Sequence, residues 1–244
     1  MTVVDDFVAE TVRLEGILGL LTEAQWLTES GADGWSVTDV VLHLAQSDEG
    51  VVASVGGGDP REGVAGAGTV DDWAAQMVDA ERGEPAQVFI RWRQARDAAA
   101  AALRTADPQV PVQWVTGPVK PATLATTRLA EHWAHGLDIT EPLGIDFPDT
   151  SRLRTEGLPY TFSLAGEAPV AVRCSLAAPD GVTTWRFGRS ESEISGTAAA
   201  FCSMAPPLSA SSGPTHNGCS PYVGGHIFIR DGCVLLRTCA TSQC

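Results

Sequence analysis

The stretch that most constrains this chain is Arg128–Asp138, RLAEHWAHGLD, which sets a carboxylate and two imidazoles into a short run of helix-compatible residues. If the run is helical, Glu131 and His135 stand four residues apart and project from one face. His132 is rotated from that pair by roughly a quarter turn, so a straight helix offers an ion Glu131 and His135 but not all three. Arg128, seven residues before His135, shares the same face, and three roles stay open for it: a substrate carboxylate, Asp138, or a structural ion pair. Asp138, three residues past His135, is placed to accept a hydrogen bond from that imidazole.

Two donors make half a metal site, since a catalytic tetrahedral ion takes three protein ligands and keeps a fourth position open. The chain has five histidines to supply the third: His43, His132, His135, His216 and His226. His43 is the candidate, because it lies in GWSVTDVVLHLAQ, where Ser36 or Thr38 can start a helix with apolar residues at helical spacing. A lone histidine in such a helix also serves as a core residue; the later Glu-x-x-x-His pair is what turns the balance toward a divalent ion, zinc first. Asp39, four residues before His43, either orients the imidazole or favours the helix N-terminus as a first-turn carboxylate.

Taken together, GWSVTDVVLHL and RLAEHWAHGLDI resemble the mycothiol-dependent maleylpyruvate isomerase family, part of the wider DinB-like group of metal-binding four-helix bundles, over about Val4–Phe201. The resemblance implies an α+β chain: a DinB-like bundle over residues 1–145, then a small α+β domain that closes over its open end. It implies that His43, Glu131 and His135 are the metal ligands. It also implies mycothiol as the thiol cosubstrate, activated by the metal to add to an unsaturated or electrophilic substrate. For the isomerase, the thiolate adds to a cis double bond, allows rotation and is expelled to leave the trans acid. The Ala- and Gly-rich composition fits a GC-rich actinobacterial gene. No cysteine lies near His43 or Glu131, so thiol chemistry here needs an external thiol. Two other functions stay open: a metal-dependent hydrolase or lyase, in which water takes the open position, and a non-catalytic metal-binding protein.

The rest of the chain reads as scaffold around these motifs. Apolar residues at Val4, Phe7, Val8, Leu14, Leu18 and Leu21 predict an amphipathic first helix within Val3–Leu27, and a second helix runs from about Ser36 to Val55. Gly56–Thr69 is a glycine-rich loop, either a lid on the site or a surface linker, and without a Gly-Lys-Ser/Thr ending it is no phosphate cradle. A third helix is expected from Val70, ending near Arg82 or resuming past Pro85 to Ala106, with Phe89, Trp92, Ala95, Ala99 and Leu103 in period. Pro108, Pro111, Pro118 and Pro121 predict an irregular connection, with Trp114 either walling a pocket or plugging the core, before a last helix at Ala122–Leu137.

Beyond Thr150 the pattern changes to strands near Val170–Ser175 and Thr183–Phe187 about a Pro179-Asp180-Gly181 turn, the start of an α+β domain over 146–202. Five of the six cysteines lie from Cys202 on, in a segment nearly without charge and with no Cys-x-x-Cys pair. Residues 203–244 therefore depart from the family's pattern, as a reading-frame change would make them, and are expected to be loosely packed or disordered. A net charge of −14 with a single lysine, Lys120, argues against nucleic acid as a partner. It also makes an anionic substrate awkward unless Arg128, with Arg91 or Arg93, faces the pocket. With neither a signal peptide nor a spanning segment apparent, the expected setting is the cytosol, with a small-molecule substrate and no membrane partner.

Overall fold

The computed structural model describes residues 2–60, 70–152, 172–187, 193–197, 226–230 and 233–237. It divides into two compact units, Met1–Phe147 and Pro148–Cys244. The fold is α+β: mostly helical, with a small sheet.

In the first unit four long helices, α1 (Val3–Leu18), α3 (Val37–Val55), α5 (Pro85–Thr105) and α6 (Pro121–Thr140), pack together. Their cores follow the apolar periods in the sequence. Val4, Phe7, Leu14 and Leu18 of α1 are buried, as are Trp92, Ala95, Ala99 and Leu103 of α5. The first helix is shorter than its apolar period: α1 ends at Gly19, and Thr22 and Gln25 then cap each other at the start of a separate short helix, α2 (Glu23–Trp26). The chain also breaks between α4 (Val70–Glu81) and α5, where Pro85 occupies a first-turn position that needs no N–H donor. Gln46 ties α3 to α4 by donating to the Met77 carbonyl at 2.9 Å.

The proline-rich connection before α6 is more regular than expected. Val112–Trp114 (β1) and Gly117–Val119 (β2) form a two-stranded antiparallel ladder, and Gly117 has φ +119°, a conformation that favours glycine. Trp114 is buried against the second of two core clusters, the plug role of the two open to it. Residues 61–69 of the glycine-rich loop, read as either a lid or a surface linker, lie outside the described residues.

At its end this unit is held by a close contact. Phe147 lies over Gly136 of α6, where an added Cβ would come within 2.6 Å of the ring. The Arg13 guanidinium covers the same ring at 3.7 Å from its centroid.

The second unit holds a five-stranded sheet of order β4-β3-β5-β7-β6, with β3 Val172–Ala178, β4 Gly181–Phe187, β5 Glu193–Thr197, β6 His226–Arg230 and β7 Cys233–Arg237. β3 and β4 form a hairpin across Pro179-Asp180, and β5 runs parallel to both β3 and β7. β6 and β7 come from the stretch 203–244, whose other residues lie outside the described ones. Their sequences, HIFIR and CVLLR, are short β-prone runs separated by Asp-Gly, a strong hairpin signal that the cysteine content obscures.

Candidate metal centre

The site rests on α3 and α6, and both helices start where the local chemistry dictates. Ser36 caps α3: its hydroxyl accepts from the Asp39 N–H at 3.2 Å, while the Asp39 carboxylate accepts from the Ser36 N–H and hydroxyl at 2.9 and 2.8 Å. Of the two roles open to Asp39, the structure shows the helix-start one, with Arg82 3.4 Å away as a further partner. α6 begins at Pro121 and continues unbroken through Thr140, so Glu131 and His135 share a face as their spacing requires.

These helices bring His43, Glu131 and His135 together. One ligand atom from each lies within 4.8 Å of the others. Glu131 Oε2 sits 3.8 Å from His43 Nε2 and 3.5 Å from His135 Nε2. These separations exceed the 2.7–3.2 Å of a good N–H···O hydrogen bond. They approach the roughly 3.3 Å between donors that share a tetrahedral ion at about 2.0–2.2 Å. The side chains are 13–21 % exposed. The donor set, two imidazoles and one carboxylate, fits a zinc-like divalent ion.

Both histidines have a support. His135 Nδ1–H donates to Asp138 Oδ2 at 2.8 Å, which directs Nε2 at Glu131. His43 lies against the half-buried Trp35, ring centroids 5.2 Å apart, and meets the His135 ring edge-on at 5.0 Å. In the absence of an ion the electrostatics divide the two imidazoles. Burial pushes His43 down, against its contact with Glu131, and the charge of His135 pushes the same way. Burial opposes charge on His135 too, but the hydrogen bond to Asp138 and the contact with Glu131 prevail and raise it to about 9. Burial likewise opposes ionisation of Glu131, yet His135, His43 and the charge of Arg128 hold its carboxyl well below the usual range.

Arg128 does not pair with Asp138. Its Nε donates to Asp48 Oδ1 at 3.0 Å, and Arg128 and Asp48 are 2 % and 0 % exposed. His132 joins this layer: Nδ1–H donates to the Arg128 carbonyl at 2.9 Å, and Nε2 lies 3.2 Å from the Trp92 indole nitrogen. Asp48 Oδ2 stands 3.2 Å from that same nitrogen. Burial opposes the charge of Asp48, but His132 and Arg128 outweigh it and hold the carboxyl below its ordinary value. Arg91 is held by Glu49 and Glu81, and Arg93 by Glu15, so neither supplies the cation that an anionic substrate would need. Asp48 and Trp35 went unread in the sequence, and Trp92 was read only as a core position. Asp48 looks like one of several acidic residues in SDEG, and only the tertiary fold sets it against Arg128.

A helical bundle that brings two imidazoles and one carboxylate together from two helices, each partly exposed, offers a candidate metal centre. The chain belongs to the mycothiol maleylpyruvate isomerase family: the profile of that family's N-terminal domain matches residues 7–140. The uncharacterized protein Rv0036c of Mycobacterium tuberculosis (strain ATCC 25618 / H37Rv) is 30% identical over 215 residues, 82% of each chain. MT0041, from strain CDC 1551 / Oshkosh of the same species, is similar to the same extent. Among solved structures, the mycothiol-dependent maleylpyruvate isomerase matches with TM-score 0.58 and 16% identity over 83% of this chain and 87% of its own. A histidine-to-alanine mutant of that enzyme matches with TM-score 0.58 and 15% identity, over 84% and 88% of the two chains. At that identity the likeness is one of fold. No helix among the described residues is long and apolar enough to cross a membrane.

Proposed function

We propose that the protein is a divalent-metal enzyme that uses an external low-molecular-weight thiol, mycothiol by family, to isomerise or thiolate a small unsaturated or electrophilic substrate. His43, Glu131 and His135 would hold the ion, zinc by the donor set. The observation that carries this reading is the spacing of 3.5 and 3.8 Å about Glu131 Oε2, too long for direct hydrogen bonds and suited to a shared ion. When bound, the ion supplies Lewis acidity that favours a thiolate over a thiol at neutral pH. Glu131 is already ionised and His43 already neutral, so both meet an ion in the required form. His135 must give up a proton, while Asp138 keeps its ring in place through Nδ1. Trp35 packs against the His43 ring. The first cysteine in the chain is Cys174, beyond the helical unit, which supports a thiol supplied from outside.

The test is elemental analysis of the purified protein beside His43→Ala and Glu131→Ala, followed by turnover of a cis-unsaturated acid with and without mycothiol. About one ion per chain, lost in both variants, with activity that depends on the thiol, is the expected result. Activity without thiol would point instead to hydrolysis or elimination by bound water. A protein that takes up no ion after reconstitution would end the enzymatic reading.

A further inference from the structure

The loop between α2 and α3 touches the supports of both histidines. At its far end Trp35 packs on His43. Near its start, the Gly31 N–H donates to the Asp138 carbonyl at 2.7 Å. A Cβ at Gly31 would lie 3.0 Å from both Asp138 Cα and Asp138 Oδ1, closer than side chains ordinarily pack. Asp138 is 5 % exposed, and its carboxylate is divided: Oδ1 faces Gly31, while Oδ2 receives His135 Nδ1–H at 2.8 Å. Ser30 joins the two ends of the loop, since its N–H and hydroxyl both donate to the Trp35 carbonyl, at 2.9 and 2.8 Å.

We infer that Gly31 is a positioning residue for the metal centre: the missing side chain at position 31 lets the loop seat against Asp138, and Asp138 in turn fixes the orientation of His135. The inference rests on the metal-binding reading above and adds a residue about a hundred positions from the ligand it serves. The α6 backbone at Asp138 cannot retreat, because Ile139 and Thr140 beside it are fully buried. An alanine at 31 therefore crowds the Asp138 carboxylate along with its Cα, and the carboxylate is the part free to turn, so the imidazole loses its alignment.

Gly34 provides the control. It lies in the same loop with φ +77° and open space around its Cβ, so alanine there strains the loop without touching Asp138. The experiment measures zinc affinity by chelator competition on the full-length protein, alongside thermal unfolding of the zinc-free form, for wild type, Gly31→Ala, Gly34→Ala, Asp138→Ala and the Gly31→Ala/Asp138→Ala double variant. Partners that orient metal-bound histidines are worth about 10–100-fold in affinity. Gly31→Ala should thus weaken zinc binding about tenfold, Gly34→Ala should lower the unfolding temperature with affinity kept within about threefold, and Gly31→Ala should cost little more once Asp138 is alanine. Equal losses in Gly31→Ala and Gly34→Ala, or full additivity with Asp138→Ala, would overturn the inference. If the wild type takes up no zinc, the metal reading fails, and imidazole ¹⁵N spectra of the zinc-free protein decide the rest: Gly31 positions His135 only if Gly31→Ala disrupts the Nδ1–H bond to Asp138.

Discussion

Helices α3 and α6 carry two polar clusters about one turn apart, the second completed by Trp92 of α5, and the clusters behave as opposites. In the triad of His43, Glu131 and His135 the donors are partly exposed and stand too far apart to satisfy one another. In the layer of Asp48, Arg128, His132 and Trp92 the groups are almost fully buried and closely paired. Each cluster holds histidine and a carboxylate; spacing and solvent access set the site apart from the strut. The buried layer joins α3 to α6 next to the donors, since Arg128 and His132 precede Glu131 and His135 by three residues each. It closes the interface on one side and leaves the other side's valences open.

Breaking the layer should therefore cost stability. Asp48→Leu leaves Arg128 buried without its counter-charge and is expected to destabilise the protein by about 3–5 kcal/mol in urea denaturation. The double variant Asp48→Leu/Arg128→Met should recover most of that, because packed apolar groups replace a buried ion pair at little cost. A single variant as stable as the double would mean that the pair is not the strut described here.

The next contrast lies in pH. His135 is raised to about 9 in the zinc-free fold, above the ordinary 6.5, so its contribution is fully present below about pH 6.5 and is lost as pH rises through about 9. The shift sets an upper bound of about 3 kcal/mol on that loss. With zinc bound the imidazole must be neutral, and the sign reverses: stability climbs up to about pH 6.5 and then levels. The buried layer acts at the acid end. Asp48 is lowered, so its contribution is present above the ordinary carboxylate range and disappears as the pH falls through its depressed value. Urea midpoints from pH 3 to 10, with and without zinc, separate the two regions; identical alkaline limbs in both series would refute the assignment to His135.

Two smaller effects sharpen the picture. Trp92→Phe removes the indole nitrogen beside His132 and some buried volume, and should cost about 1–2 kcal/mol while leaving zinc affinity unchanged. Ser36→Ala opens the capping box of α3 and should cost about 1 kcal/mol. A loss of zinc affinity in Trp92→Phe larger than threefold would show that the layer tunes the site as well as supporting it.

The donors were legible because their geometry is local. The four-residue spacing of Glu131 and His135 needs only a helix, and Ser36 marks where the helix of His43 starts. Much of the fold was legible for the same reason, in the apolar periods of α1, α3 and α5. What stayed hidden depends on long-range placement or on short signals set against stronger ones. Arg128 and Asp48 are 80 residues apart, and nothing near either one announces the other. The break after Gly19 hides under an apolar period that runs on to Leu21, although Thr22 and Gln25 are the residues a capping box uses. The β1–β2 ladder is masked by Pro118 within a three-residue strand. Gly31 reads as a loop glycine until Asp138 is placed beside it.

Phe147 offers a last consequence. Its ring lies over Gly136 and under Arg13, so the fastening of the final helix comes from within the helical unit. Arg13 of α1 and Gly136 of α6 thus share one aromatic ring, so the first and last helices of the unit are tied to each other through the residue at which it ends.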